Sequence, residues 1–251
     1  MFTLDAYDGR VNYNFLWVAV VAYLFGSIPF GVLVARTYAI DVQKVGSGNT
    51  GASNVLRSAG WGPGLVVALA DILKSGVAVL IAQAFGMPDW EVMLVGWCAV
   101  IGHNYSIFLG LKGGKGVAAS FGTIAFLDIG LAAAILPLFV ITVLVTRFTS
   151  AGSIIASASS VVLAVAMQRE WWKVLMLGGL AVMISFKHRD NLGRMYAGIE
   201  RRIDQREPRV VSSDTAKPGT VDNLFKPEAS QIVADQISVP STENKSENKS
   251  E

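Results

Sequence analysis

The sequence is short of charge, of cysteine and of histidine, and each shortage excludes something. Only 16% of its 251 residues are Asp, Glu, Lys or Arg, where a soluble domain carries about a quarter. With a mean hydropathy of +0.47, the deficit points to a polytopic membrane protein. A formal net charge of +2 sets up no strong field, so no nucleic-acid partner is expected. The lone Cys98 lies in a hydrophobic run, which leaves no disulfide framework. The two histidines, His103 and His188, are far apart and lack a carboxylate-rich cluster, so no metal site and no cofactor are expected. The N-terminus, Met1 to Asp8, is acidic where a signal peptide needs basic residues, so the first hydrophobic segment is expected to be retained.

What the chain has in quantity is apolar runs near the 20 residues that a membrane crossing needs. Phe15 to Thr37 is one, interrupted by Gly26-Ser-Ile-Pro-Phe-Gly31. A polar stretch, Tyr38 to Gly62, separates it from Gly64 to Phe85, which is apolar apart from Asp71 and Lys74. That pair, three apart, can share a helix face as an intramembrane ion pair that fixes helix contacts. Trp90 to Leu111 spans again. Gly116 to Arg147 is too long for one crossing and too short for two full ones. It reads as a short helix to about Leu127, a turn at Asp128, and a helix from Gly130 to Arg147. Ser150 to Met167 and Trp171 to Phe186 complete an all-α bundle of about seven transmembrane helices; leaving 116–147 unsplit gives six.

Basic residues orient the seven-helix version. Arg36, Lys44, Arg57, Lys112, Lys115, Arg147, Lys187, Arg189 and Arg194 fall on one side, against Arg10, Arg169 and Lys173 on the other. The positive-inside rule places the N-terminus outside and the C-terminus in the cytoplasm. Trp90, Trp171 and Trp172 stand at the outer ends as an interfacial belt. The organisation expected is an extracytoplasmic arm over residues 1–14, a membrane domain over 15–203, and a polar, disordered cytoplasmic tail over 204–251.

Three polar constellations then fall on the cytoplasmic face: Val45 to Arg57, Gly102 to Gly116, and Lys187 to Arg194. Each combines glycines, small hydroxyl or amide side chains, and cations, which suits an anionic, hydroxylated ligand. The run Lys112-Gly-Gly-Lys-Gly116 is either a phosphate cradle or a charged connector. Gly46-x-Gly48-x-x-Gly51 fits a dinucleotide fingerprint, but the βαβ unit it needs has no room between membrane helices. Gly113-Gly-Lys-Gly116 lacks the Ser or Thr that would follow a Walker lysine, which argues against nucleotide hydrolysis. For His103 a structural and a catalytic role weigh equally, whereas His188, among Lys187, Arg189 and Asn191, favours ligand contact.

Taken together, the motifs Gly26-Ser-Ile-Pro-Phe-Gly31, Gly46-Ser-Gly-Asn49 with Gly51-Ala-Ser-Asn54, Asp71-x-Leu-Lys74, Gly102-His103, Phe108-Leu109, Lys112-Gly-Gly-Lys-Gly-Val117 and His188-x-x-Asn191-x-x-Arg194 with Gly198-x-Glu200 resemble the acyl-phosphate-dependent glycerol-3-phosphate acyltransferases of bacterial membranes. Departures are mild: Ser53 for the usual Thr, Ser106 for Pro, Ser75 before the glycine after Lys74, and Lys187 for Arg. The resemblance implies transfer of a fatty acyl group from acyl-phosphate to the sn-1 hydroxyl of glycerol 3-phosphate, the first committed step of phospholipid biosynthesis. It implies an active site facing the cytoplasm in a bacterial plasma (inner) membrane, and a phosphate acyltransferase as the source of the donor.

Carried over by position, Ser47, Arg57, Lys115, His188 and Asn191 would bind glycerol 3-phosphate. Backbone N–H groups around Gly46, Ser47, Gly48 and Asn49, and around Gly113, Gly114, Lys115 and Gly116, would hold the acyl-phosphate. Lys112 is either part of that site or a loop charge. Ser47, Lys115 and His188 are the candidate catalytic residues, and the general base is either His188 or a substrate phosphate. The competing class is a transporter or flippase for a phosphorylated lipid or solute, against which stand the absence of an inverted repeat and the collection of polar motifs at one face. A soluble-donor acyltransferase would need His-x₄-Asp, and neither histidine has Asp five residues on.

Overall fold

In a computed structural model the described residues are 13–207, and all their regular structure is helical. Residues 1–12 of the N-terminal arm and 208–251 of the tail lie outside them. Ten α-helices follow in order: α1 Tyr13–Gly26, α2 Phe30–Thr37, α3 Ala52–Ala59, α4 Trp61–Ala84, α5 Asp89–Asn104, α6 Val117–Leu127, α7 Ile129–Thr146, α8 Thr149–Ala166, α9 Trp171–Lys187 and α10 Arg189–Tyr196. Five segments are long and apolar enough to cross a membrane: Asn14–Thr37, Trp61–Ala84, Asp89–Leu109, Ile129–Thr146 and Thr149–Ala166. The 11-residue α6 and the 17-residue α9 are shorter. Outward faces carry Trp17, Leu65, Val145, Val162, Leu175 and Val182, each more than half exposed. Apolar groups turned outward are what a hydrocarbon solvent asks of a bundle.

The break between α1 and α2 has a local cause. Pro29 has no N–H and cannot continue the α1 ladder, which frees carbonyls that hydrocarbon cannot satisfy. Ser106 Oγ donates to the Ser27 carbonyl at 2.6 Å, and Lys74 Nζ to the Ile28 carbonyl at 3.1 Å. Ser106 thus has a function that a proline there could not supply. The same lysine lies 2.7 Å from Asp71 Oδ1 and 2.9 Å from His103 Nδ1, with Lys74 and Asp71 almost fully buried. The intramembrane pair expected from the sequence is therefore a three-residue cluster, and His103 belongs to it.

The 116–147 run divides where the sequence suggested. Asp128 accepts from the Leu131 N–H at 3.1 Å and caps α7. It also pairs with Arg169 at 2.9 Å and Lys173 at 3.2 Å, so the α6–α7 turn and the α8–α9 turn share one end of the bundle. Two points differ from the sequence reading. The segment from Trp90 to Leu111 is not one helix: α5 stops at Asn104, and a single 3₁₀ turn, Ile107–Leu109, follows. The polar stretch Tyr38–Gly62 holds α3, whose buried face carries Asn54, Val55, Arg57 and Ser58. Its mixed face is too short and too polar to announce itself as an apolar run.

Candidate active site

A cavity of about 270 Å³ opens where the three polar constellations converge. Its polar wall includes Ser47, Asn49, Arg57, Lys115, His188, Asn191, Arg194, Glu200 and Arg201. Its apolar wall is built by Phe121, Ile124, Ile135, Leu136, Phe139, Leu180 and Ile184 from α6, α7 and α9. Cations crowd one part and hydrocarbon the other.

The Ser47 loop is held by Asn54 of α3. The Asn54 amide donates to the carbonyls of Val42 and Val45 at 3.0 and 2.9 Å, and its oxygen accepts from the Ser47 N–H at 3.2 Å. Gly46 and Gly48, at φ +60° and +67°, let the loop turn sharply enough to be gripped in this way. Arg57, three residues after Asn54 on the same helix, is 6% exposed and points into the cavity. Its Nε has no hydrogen-bond partner among the described residues.

The glycine-lysine loop folds back on the end of α5. Gly113 N–H donates to the Asn104 carbonyl at 3.2 Å, and Gly114 N–H to that of His103 at 3.0 Å. A Cβ on Gly114 would run into the His103 ring, so the Asp71–Lys74–His103 cluster forms a floor under the loop. Lys115 then projects into the cavity and donates to Asn191 Oδ1. The Asn191 amide donates to Glu200 Oε1, which also accepts from Ser150 Oγ at 2.9 Å, while Arg194 Nε lies 2.9 Å from Glu200 Oε2. Burial opposes the Glu200 charge, yet these three donors hold its carboxyl below the usual range. Burial is also the main reason that Lys115 falls to about 8, with Arg194 and Arg57 adding to it and Glu200 resisting.

His188 ends α9, 3% exposed. Its Nδ1 lies 2.8 Å from the Ile184 carbonyl. A carbonyl only accepts, so Nδ1 carries the hydrogen and Nε2 keeps a free lone pair. Burial, and then the charge of Lys115, pull its pKa down to about 4. At neutral pH the ring is an unprotonated acceptor.

Of the residues singled out from sequence, Ser47, Asn49, Arg57, Lys115, Gly116, His188 and Asn191 line this cavity, and so do Asp71 and His103. Gly46, Gly48, Lys112, Gly113 and Gly114 do not, and Lys112 is exposed. The backbone N–H groups of Ser47, Gly48, Asn49, Gly113 and Gly114 all donate within the chain. Those bonds shape the two loops. Arg201, which donates to the Gly46 carbonyl at 3.2 Å, lay beyond the sequence motifs. The link spans 155 residues, a separation that spacing cannot report.

A family model described as glycerol-3-phosphate acyltransferase matches residues 16–198. A glycerol-3-phosphate acyltransferase of Thermus thermophilus is 53% identical over 191 residues, covering 76% of this chain and 96% of the relative. One of Deinococcus radiodurans is 44% identical over 191 residues, with 76% and 96% covered. The crystal structure of PlsY (YgiH), an integral membrane glycerol 3-phosphate acyltransferase, in its glycerol 3-phosphate form gives a TM-score of 0.72 at 34% identity, covering 75% of this chain and 95% of that one.

Proposed function

Because this chain belongs to the glycerol-3-phosphate acyltransferase family, we propose that it transfers a fatty acyl group from acyl-phosphate to the sn-1 hydroxyl of glycerol 3-phosphate, releasing phosphate. The reaction is assigned to the cytoplasmic face of a bacterial inner membrane, in a seven-crossing bundle with its N-terminus outside. The donor comes from a phosphate acyltransferase. The observation that carries the reading is a single cavity whose cation-rich wall continues into an apolar one. A soluble phosphate and a lipid tail can meet there.

The chain's own residues supply a mechanism. Arg57 and Lys115 neutralise the phosphate of glycerol 3-phosphate, with the Ser47 hydroxyl and the Asn191 amide fixing its orientation. Glu200 holds Asn191 and Arg194 and thereby sets the position of Lys115. Acyl-phosphate has a good leaving group, so no covalent enzyme intermediate is needed. Catalysis rests on positioning and on charge at the departing phosphate. His188 Nε2, or the donor's own phosphate, takes the proton of the attacking hydroxyl.

Purified full-length protein in lipid should incorporate labelled glycerol 3-phosphate into 1-acylglycerol 3-phosphate with acyl-phosphate as donor. Acyl-CoA, acyl carrier protein and a no-donor control should give no product. Product formation from acyl-CoA alone would overturn the donor assignment. Uptake of glycerol 3-phosphate into sealed vesicles without acylation would favour a transporter.

A further inference from the structure

Many serine and threonine hydroxyls within the described helices follow one habit. Thr123, Thr142, Thr146, Ser153, Ser157 and Ser160 each donate to a carbonyl three or four residues earlier, at 2.6 to 3.2 Å. Low-dielectric surroundings favour that bond, because an unmade one is expensive there. Ser120 of α6 breaks the habit. It is 3% exposed, and its Oγ has no partner among the described residues. The Ser120 N–H reaches the Gly116 carbonyl at 2.7 Å, yet the hydroxyl does not use it. Ser75 is unpartnered too, but it does not line the cavity, whereas Ser120 does.

The position of Ser120 says what it faces. The wall that α6 contributes begins at Lys115 and Gly116, passes Val117, Ala118 and Ser120, and continues to Phe121 and Ile124. Ser120 lies about one helical turn, roughly 6 Å, beyond Gly116. It therefore sits on the border between the cation-lined part and the apolar part. A fatty acyl phosphate presents its groups in the same order: phosphate, carbonyl, tail. The α6 N-terminus, with Val117 and Ala118 on the wall, adds partial positive charge to that border.

We propose that Ser120 is a further catalytic residue, whose hydroxyl donates a hydrogen bond to the carbonyl oxygen of the acyl donor and to the oxyanion it becomes. The proposal rests on the acyl-phosphate reading above. The acceptor hydroxyl oxygen bonds to the carbonyl carbon, its proton passes to His188 Nε2 or to the donor phosphate, and the π pair moves onto the carbonyl oxygen. Collapse restores the double bond, breaks the bond from carbon to the phosphate-bearing oxygen, and sends phosphate off with the bonding pair. Ser120 keeps its proton throughout.

The test uses the purified full-length protein in lipid with Ser120→Ala and Ser120→Thr. Ser120→Ala should lower kcat with acyl-phosphate by about 10²- to 10³-fold, as removal of one oxyanion donor does elsewhere. Its melting temperature should equal or exceed that of the wild type, because an unpartnered hydroxyl contributes nothing to the fold. Ser120→Thr, which keeps the hydroxyl, should recover much of the rate. Binding of two donor mimics supplies a second readout. The wild type should prefer a phosphonate that carries a ketone at the carbonyl position over one with a methylene there, and Ser120→Ala should lose that preference. The assignment is overturned if Ser120→Ala keeps kcat within about threefold or keeps the ketone preference. A lower melting temperature with equal loss of both mimics would also overturn it, by making the residue structural. Absence of wild-type turnover with acyl-phosphate would defeat the donor reading and Ser120 with it. Turnover present and indifferent to Ser120 would defeat Ser120 alone.

Discussion

Two charge clusters sit at opposite ends of α6, about 16 Å apart along an 11-residue helix, and they are built on different principles. Around Asp128, two acids face two bases: Asp128 and Glu170 against Arg169 and Lys173, with separations of 2.9 to 3.3 Å. That end is balanced and closed. Around Lys115, the cavity gathers Arg57, Lys115, Arg194 and Arg201 against Glu200, Glu207 and the exposed Asp190, while Asp71 on the same wall is taken up by Lys74. His188 is neutral and adds nothing. Buried ions persist when paired and are costly when not. More cations than carboxylates at one end, with Arg57 itself buried, beside two-for-two pairing at the other, is the contrast that the proposed anionic substrate would resolve.

The sharpest break of this contrast is Lys115→Ala. Removing a cation that a substrate phosphate needs should lower kcat/KM by about 10³-fold or more, roughly 4 kcal/mol of transition-state stabilisation. Thermal stability should hold or rise, because one unbalanced charge has gone. A labelled glycerol 3-phosphate assay and a melting curve check both halves. Full activity in Lys115→Ala would make the cluster structural, like that at Asp128.

The converse experiment is Asp128→Ala. It takes from the buried Lys173 one of its two carboxylates, leaving Glu170 at 3.3 Å, takes from the partly exposed Arg169 its carboxylate, and removes the α7 cap. Stability should fall by about 1 to 3 kcal/mol. The rate per folded molecule should not change. A loss of rate at undiminished stability would show that the two ends are coupled.

These two sites were unequally legible in the sequence. Asp128 stood out because a lone acid in an apolar run has few uses other than a turn. Lys115, His188 and Asn191 stood out because glycines and amides accompany cations there. Four things were hidden. The role of α3 was hidden because eight residues with one mixed face give no periodic signal. The His103 ring joins Asp71 and Lys74 only through the register of α5 against α4, which no local pattern sets. Arg201 reaches Gly46 across most of the chain. The unused hydroxyl of Ser120 is a statement about what is missing around a side chain, and that is a property of three-dimensional surroundings alone.

The pH profile tests the electrostatics of the open cluster. His188, pulled down to about 4 by burial and by Lys115, is available as a proton acceptor at pH 7. Lys115, lowered to about 8 mainly by burial, keeps its charge at pH 7 and loses it above 8. Once the substrate's own phosphate ionisation near 6 is divided out, kcat/KM should fall about tenfold per pH unit below about 4 and above about 8. His188→Gln should remove the acid limb and lower kcat more than it raises KM. An acid limb near 4 that survives in His188→Gln would take the base assignment away from His188.

The smallest effect concerns Glu207, whose carboxylate lies 3.1 Å from Arg201 and 3.8 Å from Arg57, while its N–H donates to the Arg57 carbonyl at 3.1 Å. An anion of the chain's own therefore stands beside the arginine assigned to substrate phosphate. Glu207→Gln keeps the shape and removes the charge. A partly exposed pair of this kind is worth about 0.2 to 1 kcal/mol, so the KM for glycerol 3-phosphate should fall by up to about fivefold at unchanged kcat. A rise in KM would mean that Glu207 holds Arg57 in place instead of competing for it. The cavity end would then be largely pre-paired, in the manner of Asp128, with Arg194 already on Glu200, and its readiness for an anion would rest on Lys115.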